Sequence, residues 1–158
     1  MTKGLIATII EYNKIYLLVL AMTGATLEGK TLQIKDESEV KDILRDQSVK
    51  TLNTNNSNEF TKIHDNYLVS NGVNILDSDT SEIIRYDDGS FLIAQKNADN
   101  TLSPLVKIAD KKLMEDFLTH VVQYELGANY RDAIVHITQL NEKREVSISY
   151  RKEIADLK

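Results

Sequence analysis

Gly24-Ala25-Thr26-Leu27-Glu28-Gly29-Lys30-Thr31, running on into Leu32-Gln33-Ile34-Lys35-Asp36, is the stretch whose conformation decides the fold. Its opening residues satisfy G-x-x-x-x-G-K-[ST] at every defined position. In a phosphate-binding loop of that pattern the backbone amides cradle phosphates, the lysine reaches the terminal phosphates and the hydroxyl meets Mg²⁺. The apolar run Ile15 to Met22 precedes it, as the motif demands. Downstream, Val73-Asn74-Ile75-Leu76-Asp77 has the form of the acidic strand that completes such a site. On this reading the nucleotide-binding residues are Gly24, Gly29, Lys30, Thr31 and Asp77.

Three features of the surrounding sequence oppose it. A helix must begin at Gly-Lys-Thr so that its open amide end faces the phosphates. Instead Leu32 and Ile34 alternate with Thr31, Gln33 and Lys35, which is strand periodicity. The next helix signal comes only at Asp36, with Glu39 three residues later in capping-box spacing. The nucleotide fold also needs parallel strands joined by crossover helices, whereas tight hairpins dominate here. Glu28-Gly29-Lys30 reads as an ordinary turn between Thr26-Leu27 and Thr31-Leu32. A strand through Leu32 and Ile34 rejects the phosphate loop, and a helix starting at Lys30 supports it.

Working outward, Gly4 to Glu11 and Ile15 to Met22 read as strands around a turn at Tyr12-Asn13-Lys14. Polar Glu11, Asn13 and Lys14 break this apolar region, so it falls short of the roughly 20 residues of a membrane span. It also suits a hairpin better than a secretion signal. After Asp36, the stripe Val40, Ile43, Leu44 predicts a short helix over about 36–47. Residues 51–58 are polar and low in complexity, and are expected to be a mobile loop. Tyr67–Val69 and Val73–Leu76 are short strand candidates around Asn71-Gly72.

Ser81 to Tyr86 and Phe91 to Lys96 flank Asp87-Asp88-Gly89-Ser90, a strong hairpin signal. Thr101 to Ile108 adds a third strand. Pro104, the sole proline, puts that strand at an edge or beside a bulge. Leu113, Met114, Phe117, Leu118, Val121 and Val122 recur at helical spacing, predicting a long amphipathic helix over about 110–126. Asp110 is its N-cap and Gly127 its stop. Ala133 to Leu140 and Glu145 to Tyr150 form a last hairpin.

Composition bounds the function. The 158 residues suit one α+β domain, and the chain contains no cysteine. Disulfides, thiolate zinc sites and cysteine nucleophiles are therefore excluded. The net charge is −5, and basic residues occur in pairs at most, each beside an acid. That disfavours nucleic-acid binding, which runs on clustered Lys and Arg.

Asp77-Ser78-Asp79-Thr80-Ser81-Glu82 resembles the start of a calcium loop, but Glu82 stands where glycine is required. Ser149-Tyr150-Arg151-Lys152 fits S-x-x-K without its partner motifs. The histidines 64, 120 and 136 lack metal-pair spacing. Among them His64 with Asp65 is the first choice for a general base, because function favours loops.

The expectation is an α+β domain, mainly antiparallel, with a two-sheet or barrel-like body, one long helix and one short one. No catalytic residue, metal or cofactor is assigned. The functional expectation is a non-catalytic interaction or assembly subunit working through strand edges and hairpins. It would form a homo-oligomer or larger assembly with protein partners, away from membranes. A viral or phage structural protein, cytoplasmic or within a virion, is one such setting.

Overall fold

Alternation at Leu32 and Ile34 belongs to a longer strand than the sequence marks. In the computed structural model, which describes residues 25–126, 130–140 and 142–153, β1 spans Ala25–Asp36. The expected turn at Glu28-Gly29-Lys30 is absent, because these residues pair in unbroken register with Tyr150, Ser149 and Ile148 of β7 (Lys143–Glu153). The strands expected over 4–11 and 15–22, and the helix stop at Gly127, lie outside the described residues.

Asp36 ends β1 and starts α1 (Glu37–Val40), where Glu39 Oε2 accepts from the Asp36 amide at 2.7 Å. The capping signal is real, but the helix stops well before residue 47. Its would-be continuation is drawn into the sheet. Leu44 bridges Leu102, the Leu102 amide donates to Ile43 O at 2.8 Å, and the Arg45 amide donates to Leu102 O at 2.8 Å.

The segment expected to be a mobile loop carries two elements instead. Lys50–Leu52 forms β2, parallel to Val106–Ile108, and plants Leu52 in the core. Asn56 then caps α2 (Ser57–Ile63), its side chain accepting from the Asn58 amide at 2.8 Å. The chain continues through a wide π turn (His64–Leu68) and a 3₁₀ turn (Val69–Asn71), stopped by Gly72 at φ 78°. The strand candidates Tyr67–Val69 and Val73–Leu76 are thus helical and turn residues.

The hairpin β3 (Ser81–Arg85) to β4 (Phe91–Lys96) turns where expected, with Gly89 at φ 90°. β5 (Leu102–Ile108) pairs antiparallel with β4. The register shifts between Ile93 and Ala94, which face Val106 and Pro104. Leu105 is therefore an extra residue beside the proline, a β-bulge. The bulge reverses the strand's alternation. Leu102 joins one core cluster, while Leu105, Val106 and Ile108 join the other.

The sheet order is β2-β5-β4-β3-β1-β7-β6, with β6 spanning Tyr130–Leu140. Among the described strands only β1–β3 and β2–β5 are parallel pairs. Among the described residues the sheet is single, mixed and open, and neither a second sheet nor a closed barrel forms. One face is covered by α2 and by α3 (Lys111–Leu126), and with α1 the described residues hold three helices where two were expected. Asp110 Oδ1 accepts from the Leu113 amide at 2.8 Å and fixes the start of α3.

Met114, Phe117, Leu118, Val121 and Val122 are fully buried against Ile34, Ile83, Ile93 and Ile148 of the sheet. Phe60 meets Phe117 edge-on at 5.6 Å, which docks α2 on α3. A smaller cluster on the opposite face joins Val40 to Ile84, Leu92, Ala94 and Leu102. Among the described residues no helix is long and apolar enough to cross a membrane.

Each such side chain contributes about 1.5–3 kcal/mol by leaving water, and α3 brings five of them to one stripe. Phe117→Ala is therefore expected to destabilise the fold by about 3–5 kcal/mol. Val69→Ala, at a half-exposed position, should stay within about 0.5 kcal/mol. Urea denaturation followed by circular dichroism measures both.

Candidate functional site

The phosphate-loop match dissolves into sheet. Gly29, Lys30 and Thr31 lie inside β1, opposite Ser149, Ile148 and Ser147, and the Lys30 and Thr31 side chains are exposed. A Cβ added at Gly29 would sit 3.1 Å from the Ile148 carbonyl oxygen. The glycine thus serves close approach of two strands. No helix begins at Lys30, and the next one is the four-residue α1.

Gly24 lies outside the described residues. Asp77 is exposed in a turn, its Oδ1 accepting from the Asp79 amide at 2.9 Å and its carbonyl from the Thr80 amide at 3.0 Å. Of the calcium-loop residues, Glu82 is spent on Lys96 at 3.1 Å. Among the described residues no group of three or more His, Asp or Glu side chains is placed to hold a metal ion.

The most developed polar arrangement is one that sequence reading located only in part. His64 does not sit in a loop. It is the first residue of the π turn after α2, 2% exposed, and faces the last turn of α3. Its Nδ1 lies 2.6 Å from Asp65 Oδ1, and its Nε2 lies 2.7 Å from Glu125 Oε2. Glu125 itself is only 11% exposed.

A neutral imidazole has one N–H and one lone pair. With a carboxylate against each nitrogen, a lone pair would face oxygen lone pairs on one side. The arrangement therefore holds the imidazolium, with both N–H groups donating. Burial alone would lower the His64 pKa, but the hydrogen bonds to Glu125 and Asp65 and their charges carry it above the ordinary histidine value. This corrects the assignment of His64 as a general base. Neither nitrogen is free to take a proton from a substrate.

His120 completes the cluster. Its ring lies 4.4 Å from Tyr124, 5.6 Å from Phe60 and 6.4 Å from His64. Burial, and then the charge on His64, push its pKa down, against a weaker pull from Asp65. His120 Nε2 is buried without a hydrogen-bond partner among the described residues. The two rings divide the roles, one charged and one neutral. His136 lies apart, exposed on β6, with Nδ1 3.5 Å from Glu115 Oε2. The sequence spacing never placed Glu125 beside His64, since 61 residues separate them.

What this cluster does physically is join α2 to the C-terminal end of α3. Removing one partner of a buried ion pair commonly costs about 3–5 kcal/mol. His64 can escape part of that cost by releasing its proton. Compared with known protein families, curated proteins and solved structures, the chain matches none.

Two outcomes are expected. His64 has a raised pKa in the fold, so its contribution to stability is complete below about pH 6.5, the unfolded value. It is lost as pH rises through the folded value. Wild type should therefore exceed Glu125→Gln in stability most at about pH 5.5–6, and the gap should narrow above neutrality. The depressed His120 pKa acts oppositely, costing stability as pH falls, and it does so in both proteins. Denaturation from pH 5 to 9, with NMR of the ring nitrogens, measures this. An ordinary or lower pKa at His64 would refute the doubly donating imidazolium. Separately, neither Mg-ATP nor Mg-GTP should raise the melting temperature. A rise that vanishes in Lys30→Ala would restore the phosphate loop.

Proposed function

We propose that the chain is a non-catalytic interaction or assembly subunit that associates with protein through the outer edge of β6. What carries the reading is the character of that edge. β6 closes the sheet on one side, pairs with β7 alone among the described residues, and is 11 residues long. Exposed strand edges are templates for pairing with another chain, and natural edges are commonly guarded by lysine or proline. Tyr130 to Leu140 contains neither. Ile134 stands on it 53% exposed, among the few large apolar side chains left in water.

Glu115 supplies one guard. The Ile137 amide points away from β7 and donates to Glu115 Oε2 at 2.8 Å. A carboxylate from α3 thus occupies a donor that an incoming strand would use. Among the described residues the remaining edge is open, and β6 presents exposed His136 and half-buried Thr138 beside Ile134 on the face away from the helices. A partner offering an extended, partly apolar segment suits this surface.

The test is the native mass of the full chain across concentration, by light scattering and native mass spectrometry. Association that grows with concentration is expected. Ile134→Lys should weaken it while changing stability by no more than about 0.5 kcal/mol, as exposed substitutions do. Glu115→Ala should strengthen it by freeing the Ile137 amide. A particle that stays monomeric at every concentration, carries no co-purifying protein and ignores both substitutions would sink the proposal.

A further inference from the structure

The apolar face of the sheet ends abruptly beyond the first residue of α3. Phe91 on β4 pairs with Arg85 on β3, Arg85 pairs with Asp36 on β1, and Arg144 on β7 pairs with Gln139 on β6. These residues continue, on the helix-covered face, the alternation that buries Ile93, Ile83, Ile34 and Val146. Beyond the first turn of α3, that row becomes cationic. A pocket of about 210 Å³ opens there, lined by Arg85, Phe91, Lys111, Thr138, Gln139 and Arg144 among others.

Three cations and no carboxylate line this pocket, in a chain whose net charge is −5. Arg144 Nη1 is paired with Asp36 just outside, and its Nε is buried without a partner among the described residues. Among those residues Arg85 and Lys111 have no ion-pair partner at all. Unpaired guanidinium groups are rarely left partly buried, because their donors lose water without replacement. Guanidinium forks match the oxygens of phosphate and carboxylate.

Charge decides between them. The three cations against the one carboxylate of Asp36 leave two positive charges, which suits a dianion. The volume lies below the roughly 300–1,000 Å³ that encloses a whole drug-sized ligand. The pocket therefore holds an anionic head and leaves its carrier outside.

We propose that the pocket bounded by Arg85, Lys111 and Arg144 binds a phosphoryl group, as free phosphate or as the head of a small phosphorylated molecule. Arg85 and Arg144 donate to its oxygens, and Lys111 adds charge at the mouth. The site borrows the end of β6 near Gln139 but lies on the helix-covered face of the sheet, and it does not depend on association.

The experiment titrates the full chain with inorganic phosphate, with glycerol 3-phosphate and with acetate at equal ionic strength, followed by amide NMR. Saturable shifts at residues 85, 89, 111, 139 and 144 are expected for the two phosphates and not for acetate. Arg85→Gln should weaken binding about tenfold or more, the loss of a charged hydrogen-bonding group, with the melting temperature checked alongside. If Arg85→Gln does not fold, exposed Lys111→Gln carries the same test with a smaller loss. Tighter binding of the ester identifies a phosphorylated molecule as ligand, and equal binding identifies phosphate itself. The absence of saturable shifts with both phosphates, or unchanged binding in the variants, overturns the site. Acetate binding as well as phosphate overturns the phosphoryl assignment.

Discussion

The sheet is continuous because β1 accepts a strand on each side. Over Ala25–Gln33 it pairs with β7, and over Ile34–Asp36 with β3. Without that shared strand the meander β2-β5-β4-β3 and the hairpin β7-β6 would be separate sheets, each too small to cover α3. Everything else depends on this strand remaining extended from Gly29 to Asp36. The face bearing Leu32 and Ile34 is then held toward α3, and a slip of one residue would turn both into water. The same requirement removes the phosphate cradle, since an extended backbone paired with Ser147 and Ser149 sends successive amides to opposite sides and cannot converge them on one anion.

What could be read in advance follows from how far each signal extends along the chain. The β3–β4 hairpin, the bulge by Pro104, α3 and the β6–β7 hairpin all rest on local patterns, and all are present. The miss at α2 was avoidable. Phe60, Ile63, His64, Tyr67 and Leu68 recur at intervals of three and four behind Asn56, a helix pattern with a cap. A polar tract before it and β-favouring Tyr67 and Val69 after it obscured the period. The shortened α1 was not legible locally. Val40, Ile43 and Leu44 do favour a helix, but Leu102, 58 positions beyond Leu44, takes the backbone of residues 43–45 into the sheet. The candidate sites divide in the same way. His64 and Asp65 are neighbours in sequence, whereas Glu125 and the row Arg85, Asp36, Arg144 are brought together only by register and packing.

The buried imidazolium and the cationic row share one element. α3 carries the Glu125 carboxylate at one end and Lys111 at the other. The helix macrodipole places about half a positive charge at its N-terminus and half a negative charge at its C-terminus. Ordinary surface helices oppose these fields with acids in the first turn and bases in the last. α3 has neither. At its C-terminal end the conflict created by Glu125 is resolved within the fold, because the His64 cation lies 2.7 Å away and supplies the missing positive charge.

At the N-terminal end the conflict persists. Asp110 satisfies one amide, and Lys112 is neutralised by Asp116 at 2.6 Å. Lys111 and Arg85 have no such counter-charge among the described residues, and the helix field adds to theirs instead of cancelling it. Like fields gathered at one place destabilise a fold, and local conflicts of this kind concentrate where a protein has a ligand to hold. The histidine end shows that this fold can balance a misplaced charge with a neighbouring residue. At the lysine end the Asp110 carboxylate is engaged with the Leu113 amide, and Arg144 is already matched to Asp36. Among the described residues no further carboxylate is paired with Lys111 or Arg85, and that imbalance is what a phosphoryl dianion in the proposed pocket would relieve.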